Sequence, residues 1–313
     1  MPARWTHDRP MSRQEFDARF PDEEACSRYL AERRWPNGFV CPACNGCHGW
    51  PLRRGRATWE CRDCGRQTSV TAGTVMHRSH LPLRTWFMAA HIVASHSNGI
   101  SALQLQAQIG LGSYKTAWLL LHKLRRAMVD PGRGLLQEIV EIDETEMPFR
   151  CRQDPIDPTS GKPDTSQKIK VIGAVELTAD GYPRRIRLEQ IFDKTMPTFH
   201  GFIHREVEPD AHVITDGHIS YENLPNHSHE VRVVAGSKAH ELLHWVHRVF
   251  SNLKRWAQGV FHGFRWKHVQ RYLDEFVFRW NRRRHLRTAF DRLLGIGVEV
   301  GPATYRDIIE HRA

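Results

Sequence analysis

The sequence contains no long hydrophobic run. Its longest apolar stretch, Trp86 to Ala94, is interrupted by His91 and falls far short of the about 20 residues that a membrane-spanning helix needs. The start of the chain is polar throughout and has no segment that could act as a secretory signal. Internal repeats and low-complexity tracts are also absent from the sequence. We therefore expect a soluble, cytoplasmic protein that acts away from membranes.

Cysteine is scarce, with 7 residues among 313, but four of them follow one pattern. They form two CxxC pairs separated by sixteen residues, namely Cys41, Cys44, Cys61 and Cys64. Four thiolates so spaced can surround one Zn²⁺ as a tetrahedron, which suits a structural zinc ribbon over residues 36–78. The alternatives are four unrelated buried cysteines or, less favoured because nothing marks the chain as exported, a disulfide. Cys47 and His48 are not needed for a closed four-ligand site.

Acidic residues are outnumbered by basic ones. The chain has 45 Lys and Arg residues against 35 Asp and Glu, for a net charge of +10, and 20 histidines add positive charge below neutrality. Such an excess favours a polyanionic partner, because phosphate contacts release condensed counterions. Hydrophobic residues make up 40% of the chain, which is enough for packed cores, and the length allows two or three domains.

Helical patterns precede and follow the ribbon. Residues 1–35 form a helical lead-in that contains a capping pattern, Ser12 followed by Glu15. Residues 80–130 are predicted to form a helix, a short helix, a glycine turn and a third helix. This order of elements is typical of a helix-turn-helix DNA-binding domain. Its predicted DNA contacts lie at the two ends of the third helix, namely Ser113, Tyr114, Lys115, Thr116, Lys123, Arg125 and Arg126. An ordinary three-helix bundle is the alternative.

Strand-like patterns begin after a linker-like segment at residues 130–134. Three strands, a helix, a fourth strand, a short fifth strand and long helices follow in that order. This order suits an α/β domain of the ribonuclease-H type over residues 135–290, with a solvent loop at 152–167 and a C-terminal tail at 291–313. The fold class is therefore multidomain α+β, with an N-terminal zinc ribbon and helix-turn-helix followed by an α/β ribonuclease-H-like domain.

Two aspartates end apolar strand-like runs in this domain. Asp143 ends the first run and Asp216 ends the fourth. In a ribonuclease-H-like sheet the first and fourth strands are neighbours, so both carboxylates could converge on a pair of divalent metal ions. An aspartate at a strand end can also be a simple turn residue. Two such aspartates in a chain with a predicted N-terminal DNA-binding region favour a catalytic role.

Four further stretches carry a family resemblance. They are Val140-Glu-Ile-Asp143-Glu-Thr145, Val213-Ile-Thr-Asp216-Gly, Ser251-Asn-Leu-Lys254-Arg255 and the stretch from Lys267 to Arg283. Together with the cysteine pairs, they resemble bacterial insertion-sequence transposases of the zinc-ribbon, ISXO-like DDE group over roughly residues 20–290. The resemblance implies a ribonuclease-H fold, two Mg²⁺-type ions, cleavage at transposon ends and strand transfer into a target.

One position departs from this family. Members with a complete catalytic triad carry a glutamate seven residues before the lysine that corresponds to Lys254, and this chain has His247 there. Seven residues bring an α-helix round almost two turns, so His247 and Lys254 share a helix face. This geometry favours His247 as the third ligand-like residue, with Asn252 as the alternative and a solvated histidine as the remaining interpretation. Lys254 is expected to contact phosphate near the scissile bond.

Acidic residues are especially few near the C-terminal end. From Arg248 to Arg287 there are eleven basic residues and two acidic ones. The interleaved aromatic residues have spacings typical of packed helices, so we assign them to the core. Arg282, Arg283 and Arg284 are predicted to face DNA phosphates.

These features combine into the hypothesis of a DNA transposase. It binds the terminal inverted repeats of a mobile element, cleaves at the ends and joins the 3′-hydroxyl to target DNA. Its cofactors are structural Zn²⁺ and catalytic Mg²⁺ or Mn²⁺, the latter held by Asp143, Asp216 and His247. Its partner is double-stranded DNA, bound by a homodimer or higher oligomer at the bacterial nucleoid. The alternatives are a catalytically lapsed remnant that acts as a sequence-specific DNA-binding protein, and a plain ribonuclease-H-like nuclease.

Overall fold

A computed structural model describes residues 8–52, 57–148, 168–233 and 243–310. The chain divides into two compact units, one made of Met1–Pro131 with Arg282–Ala313 and the other of Gly132–Asn281. Helices and sheets occur in both units, which confirms the multidomain α+β class. The predicted solvent loop at residues 152–167 lies outside the described residues.

The lead-in of the first unit consists of two capped helices, α1 (Arg13–Arg19) and α2 (Glu23–Arg34). The Ser12 hydroxyl accepts the amide of Glu15, and the Glu15 carboxylate accepts the amide of Ser12, so the predicted capping pattern is present. Two backbone donors at the start of α1 are thereby satisfied without water. The same device recurs at α2, where the Asp22 carboxylate accepts the amide of Ala25.

The ribbon is a three-stranded antiparallel sheet of β1 (Gly49–Pro51), β2 (Thr58–Cys61) and β3 (Gln67–Ser69). Its core is aromatic: Phe39 stacks on Trp59 with ring centroids 5.6 Å apart, and Trp35 packs edge-on against both. Glycine is required at position 49, since a Cβ there would lie 2.5 Å from the Phe39 ring. So small a core needs a further constraint to stay folded.

Three helices follow the ribbon close to their predicted bounds: α3 (Leu83–Ser95), α4 (Ala102–Ile109) and α5 (Tyr114–Arg126). The carboxylate of Glu23 accepts the first two amides of α3, those of Leu83 and Arg84. Gly110 ends α4 in the left-handed conformation with φ of 68°, which a residue without a Cβ adopts at little cost. That the three helices act as a helix-turn-helix remains a prediction.

The second unit is built on a five-stranded sheet. Its strands are β4 (Ile139–Met147), β5 (Ile169–Leu177), β6 (Pro183–Ile191), β7 (His212–Thr215) and β8 (Ser228–Val231). They are arranged in the order β6-β5-β4-β7-β8. Strand β5 runs antiparallel to both of its neighbours, β4 and β6, whereas β4, β7 and β8 run parallel to one another. The first and fourth strands of the unit, β4 and β7, are therefore neighbours, as the sequence predicted.

Helices cover both faces of this sheet. One face packs against α6 (Met196–Glu206), and the other packs against α7 (His244–Phe261) and α8 (Val269–Asn281). The buried side of α7 carries Val246, Val249 and Leu253. Gly173 allows close approach of α7 to β5, because a Cβ there would lie 2.7 Å from the Phe250 ring.

The C-terminal segment forms helices α9 (Leu286–Glu299) and α10 (Tyr305–Ile309), which belong to the first unit. Phe290 of α9 packs against Phe20 and Phe87, with ring centroids 5.5 and 6.0 Å apart. Asp291 accepts a 2.5 Å hydrogen bond from the Tyr29 hydroxyl. The sequence patterns predicted a catalytic domain that ends at residue 290 and a tail at 291–313, whereas the structure divides the chain after Asn281. An amphipathic pattern shows that a helix buries one face, but not which core receives it.

Within the described ranges, no helix combines the length and the apolar character needed to cross a membrane.

Candidate functional site

The two predicted aspartates lie on adjacent parallel strands of the second unit. Ile139 pairs with His212 and Glu141 with Ile214, so the same register extended by two residues places Asp143 beside Asp216. Neighbouring strands are about 4.8 Å apart, so the two carboxylates emerge close together. Asp143 lies within β4, and Asp216 directly follows β7, where its Oδ1 accepts the amide of His218 at 3.0 Å.

Burial dominates the ionisation of Asp143, which is 6% exposed. Burial, reinforced by the negative charges of Glu144 and then Asp216, raises the pKa of Asp143 to about 7, against an opposing effect of Lys194. The amide of Glu144 also donates to Asp143 Oδ1 at 2.8 Å, which favours the charged form. A buried group of carboxylates of this kind suits a divalent cation, which prefers oxygen donors and relieves their mutual repulsion.

His247 reaches this pair from helix α7. Its Nδ1 lies 3.6 Å from Asp143 Oδ2, and its side chain is 36% exposed. Asn252, the alternative third residue, accepts a 2.8 Å hydrogen bond from Arg255 on the outer part of the helix. Lys254 is exposed on α7. The contacts of the two candidates thus favour His247 over Asn252.

The three residues are neighbours but not a closed ligand set. Among the described residues, the four ribbon cysteines are the only group of three or more ligand-type side chains whose donor atoms all lie within 4.8 Å of one another. Asp143 and His247 meet, and Asp216 lies at the same level of the next strand.

A polar cluster that was not predicted from the sequence lies on the opposite face of β4. The Tyr221 hydroxyl, which is buried, donates to Glu144 Oε2 at 3.0 Å. Lys194 Nζ lies 3.4 Å from Glu144 Oε1 and 3.4 Å from Glu146 Oε1. Glu144 was visible in the motif around Asp143, but no spacing in the sequence pointed to Tyr221 or Lys194. The cluster fixes the residue next to Asp143 in the strand.

The four ribbon cysteines meet at one point in the first unit. Cys41 Sγ lies 3.6 Å from Cys64 Sγ, and Cys44 Sγ lies 3.6 Å from Cys61 Sγ. Tetrahedral zinc with Zn–S bonds of about 2.3 Å places its sulfurs ~3.8 Å apart, so this spacing fits the metal. The amides of Ala43 and Cys44 lower the pKa of the Cys41 thiol, whereas side-chain contacts with neighbouring cysteines raise the pKa of Cys44 and Cys64, so Cys41 is the thiol of these three that ionises first.

The two cysteine loops share one backbone geometry. In the first loop, the amide of Cys41 donates to Gly46 O and the amide of Asn45 donates to Cys41 O. In the second loop, the amides of Cys61 and Gly65 donate the two corresponding hydrogen bonds. Asn45 and Gly65 occupy equivalent positions and both have positive φ. Cys47 is exposed, its Sγ contacts Asn45 O at 3.7 Å, and it is not one of the four clustered cysteines.

The predicted DNA contacts of α5 separate into two groups. Ser113, Tyr114 and Lys115 are exposed and Thr116 is half-buried. Lys123 and Arg125, in contrast, are only 8% and 2% exposed, so the prediction that they reach DNA is wrong for this conformation. The reason is that the end of α5 is enclosed on nearly all sides by its unit, whereas the sequence showed only a basic cluster. Arg126 is half-buried.

The predicted C-terminal arginines lie between α8 and α9. Arg284 is exposed, while Arg282 and Arg283 are half-buried. Helix α8 ends at Asn281, where the second unit also ends, so the three arginines begin the returning segment of the first unit.

Comparison with known proteins finds two transposase domain models that match this chain. Residues 135–281 match the family model of the ISXO2-like transposase domain, and residues 21–67 match that of the transposase zinc-ribbon domain. Both the zinc-ribbon domain and the ISXO2-like domain of these transposases thus have a match in this chain, which confirms the resemblance seen in the sequence motifs.

A relative from Halobacterium salinarum, an uncharacterized protein in transposable element ISH50, is 35% identical over 127 residues. The match covers 40% of this chain and 42% of the relative, so the chain spans less than half the length of this curated protein. A solved simian T-cell lymphotropic virus intasome in complex with PP2A regulatory subunit B56 gamma shows 15% identity over 47% of this chain and 55% of that one. Its TM-score of 0.26 carries no conclusion about this fold.

Proposed function

We propose that this protein cuts DNA at the ends of an insertion sequence and joins the resulting 3′-hydroxyl to target DNA. The observation that carries the proposal is the placement of Asp143 beside Asp216 on neighbouring parallel strands, with His247 3.6 Å from Asp143. Two carboxylates and an imidazole that converge at one sheet position form a donor set for divalent cations.

Asp143 and Asp216 hold the catalytic Mg²⁺ or Mn²⁺, and His247 serves as the third protein donor. When bound, the ions activate the attacking oxygen and stabilise both oxygens of an in-line displacement at phosphorus. Lys254 lies seven residues beyond His247 on the same helix, and its side chain is exposed. Its ammonium group can therefore bind a phosphate of the DNA. No covalent protein intermediate is needed, because the 3′-hydroxyl attacks the target directly.

A second candidate is a catalytically lapsed transposase that acts as a sequence-specific DNA-binding protein. The observation in its favour is His247, which stands where complete triads have glutamate. A strand-transfer assay with paired end duplexes and supercoiled target DNA separates the possibilities. A transposase joins the ends, a lapsed remnant binds without cutting, and a plain nuclease cuts without joining.

The identity of the third donor can be tested by substitution of His247. Imidazole suits Mn²⁺ better than Mg²⁺, so we expect the parental protein to be more active with Mn²⁺. We expect His247→Glu to keep activity and shift its preference toward Mg²⁺, whereas His247→Ala loses about tenfold or more in cleavage rate. The measurement is single-turnover cleavage of end DNA in each metal.

Asn252→Ala is the matched control on the same helix, since Asn252 bonds to Arg255 instead of facing Asp143. It should cleave at the parental rate in both metals. Normal cleavage by His247→Ala together with loss in Asn252→Ala would assign the third position to Asn252.

DNA-end recognition is proposed to reside in the first unit, on the exposed start of α5, with a homodimer or higher oligomer pairing the two ends. The ribbon places a metal-stabilised module before these helices, and Lys115 Nζ, 4.1 Å from the Tyr305 ring centroid, holds its charge at the surface. Phosphate contacts there would make affinity fall steeply with salt.

We expect Tyr114→Ala with Lys115→Ala to weaken binding to end DNA by about tenfold and to reduce preference over random duplex. The slope of log affinity against log salt should also fall by about one, because the ammonium of Lys115 no longer neutralises a DNA phosphate. The full chain is used for titration, because Phe290 of the C-terminal segment completes the core of this unit.

Arg28→Ala removes an exposed positive charge from α2 of the same unit and serves as the control for a general charge effect. An equal loss in both proteins, or an unchanged preference for end DNA in the double variant, would place recognition elsewhere.

A further inference from the structure

A buried carboxylate joins β4 to the beginning of α7. Glu141 is 4% exposed, and its Oε2 accepts the amide hydrogens of Trp245 at 2.8 Å and Val246 at 2.9 Å. These residues are the second and third of helix α7, which begins at His244. The acceptor therefore comes from a strand more than 100 residues earlier in the chain.

The Glu141 carboxylate accepts backbone amides that have no hydrogen-bond acceptor within the helix itself. The first amides of an α-helix have no intrahelical partner, and they carry the positive end of the helix dipole. The residue before α7 is Leu243, whose side chain makes no capping hydrogen bond. An ionised carboxylate that accepts two such amides makes short, charge-assisted hydrogen bonds, which hold a helix end at a defined position.

The same strand and the same helix meet again at the candidate active site. Glu141 and Asp143 are two residues apart on β4, so both side chains project from one face of the sheet. His247 directly follows the two bonded amides, and its own amide donates to Leu243 O at 3.2 Å. Glu141 thus anchors the helix turn from which His247 reaches Asp143.

We propose that Glu141 is a positioning residue that fixes the register of α7 on β4 and so places His247, and Lys254 further along the helix, against the aspartate pair. The proposal rests on the proposed function, because it assigns Glu141 a role in that site. Glu141 touches neither DNA nor metal in this role. It acts through the helix that carries the third donor.

The test compares Glu141→Gln with Glu141→Ala in the full chain. Glutamine keeps a side-chain oxygen that can accept both amides, whereas alanine removes the acceptor. We expect Glu141→Ala to lower single-turnover cleavage of pre-bound end DNA by roughly 10- to 100-fold with little change in DNA affinity, because catalysis is sensitive to displacements of about 1 Å. We expect Glu141→Gln to restore the rate to within about threefold.

A second measurement, which does not depend on activity, follows hydrogen exchange of the amides at the start of α7. Hydrogen exchange of the Trp245 and Val246 amides should be faster in Glu141→Ala than in the parental protein, and slow again in Glu141→Gln. Glu176→Gln is the matched control, since Glu176 is a fully buried carboxylate on β5 that pairs with Val140 on the other face of the sheet. It should leave exchange at Trp245 and Val246 unchanged.

Protected amides and parental cleavage in Glu141→Ala would overturn the proposal, as would a Glu141→Gln protein as slow as Glu141→Ala. If the parental protein binds end DNA but does not cleave it, the proposed function has failed. Hydrogen exchange then decides alone whether Glu141 holds the helix, since unchanged exchange in Glu141→Ala overturns the anchoring and faster exchange supports it.

Discussion

Replacement of either aspartate of the proposed active site by asparagine should abolish DNA cleavage and strand transfer while leaving end binding intact. Asp143→Asn and Asp216→Asn each remove one negative charge from the cation-binding donors with almost no change in side-chain shape. Because phosphoryl transfer depends on metal ions held at these oxygens, we expect a loss of about a thousandfold or more in the single-turnover rate. DNA affinity, measured by titration of labelled end duplex, should stay within about twofold of the parental value.

Asp210→Asn is the matched control for this experiment. Asp210 is exposed and lies just before β7, at the end of the strand opposite to Asp216. Its loss should leave both cleavage and joining at parental rates. Cleavage near the parental rate in Asp143→Asn or Asp216→Asn would show that the active site lies elsewhere in the chain.

The Asp143 substitution should also stabilise the protein at alkaline pH. The pKa of Asp143 is about 7 in the folded protein against an ordinary value of 3.8, chiefly because of burial, so folding favours the neutral form. The free energy of unfolding therefore decreases as pH rises between these two values, and the penalty is complete above pH 7. Removing it should raise the stability by roughly 4 kcal/mol at most, since one pKa unit corresponds to about 1.4 kcal/mol.

Thermal unfolding without added Mg²⁺ or Mn²⁺ tests this expectation, and chelators are omitted so that the ribbon keeps its metal. The melting temperature of Asp143→Asn should exceed that of the parental protein at pH 8 and match it at pH 4. A gain of equal size at both pH values would mean that the effect does not come from ionisation of Asp143.

The second large effect concerns the zinc ribbon. Cys61→Ser should release the metal and unfold the ribbon, while the second unit stays folded. A structural zinc site in a small domain contributes about 10–16 kcal/mol in zinc-finger peptides, far more than so small a core supplies. Cys61 is 1% exposed and packs with Phe39, so its loss removes a ligand and disturbs the aromatic core together. The measurements are zinc content per chain and limited proteolysis.

Cys47→Ser provides the comparison, because Cys47 is an exposed thiol beside the first cysteine pair that is not part of the cluster. It should retain one zinc per chain and parental protease resistance. Freshly purified parental protein without zinc, prepared in the absence of chelator, would contradict the assignment.

Much of the fold could be predicted from the sequence because its signals are local. Strand-like patterns marked the strands of the second unit in their correct order, and turn chemistry at Gly110 and the capping pair Ser12 and Glu15 marked helix ends. Spacing alone brought the four cysteines into one group, because short loops between paired ligands restrict where the sulfurs can lie. These features depend on neighbours within a few residues, so no knowledge of packing is required to see them.

Other features depend on contacts between distant segments, and the sequence could not show them. A basic cluster at the end of α5 looks like a DNA-binding surface, yet Arg125 is buried because helices from elsewhere in the unit enclose it. The helix containing Phe290 is amphipathic, but its apolar face alone does not say that it packs with Phe20 near the start of the chain.

The sequence by itself indicated the transposase domains, grouped the four cysteines and predicted the two aspartates, because these depend on residue identity, spacing and strand order. The tertiary structure decided where α7 begins on β4, and hence that His247, which the sequence favoured over Asn252, lies 3.6 Å from Asp143. It also placed the Glu141 carboxylate where it accepts the amides of Trp245 and Val246. The physical reason is that the register of a helix on a sheet is set by packing and hydrogen bonds between segments about 100 residues apart, and no local pattern records it.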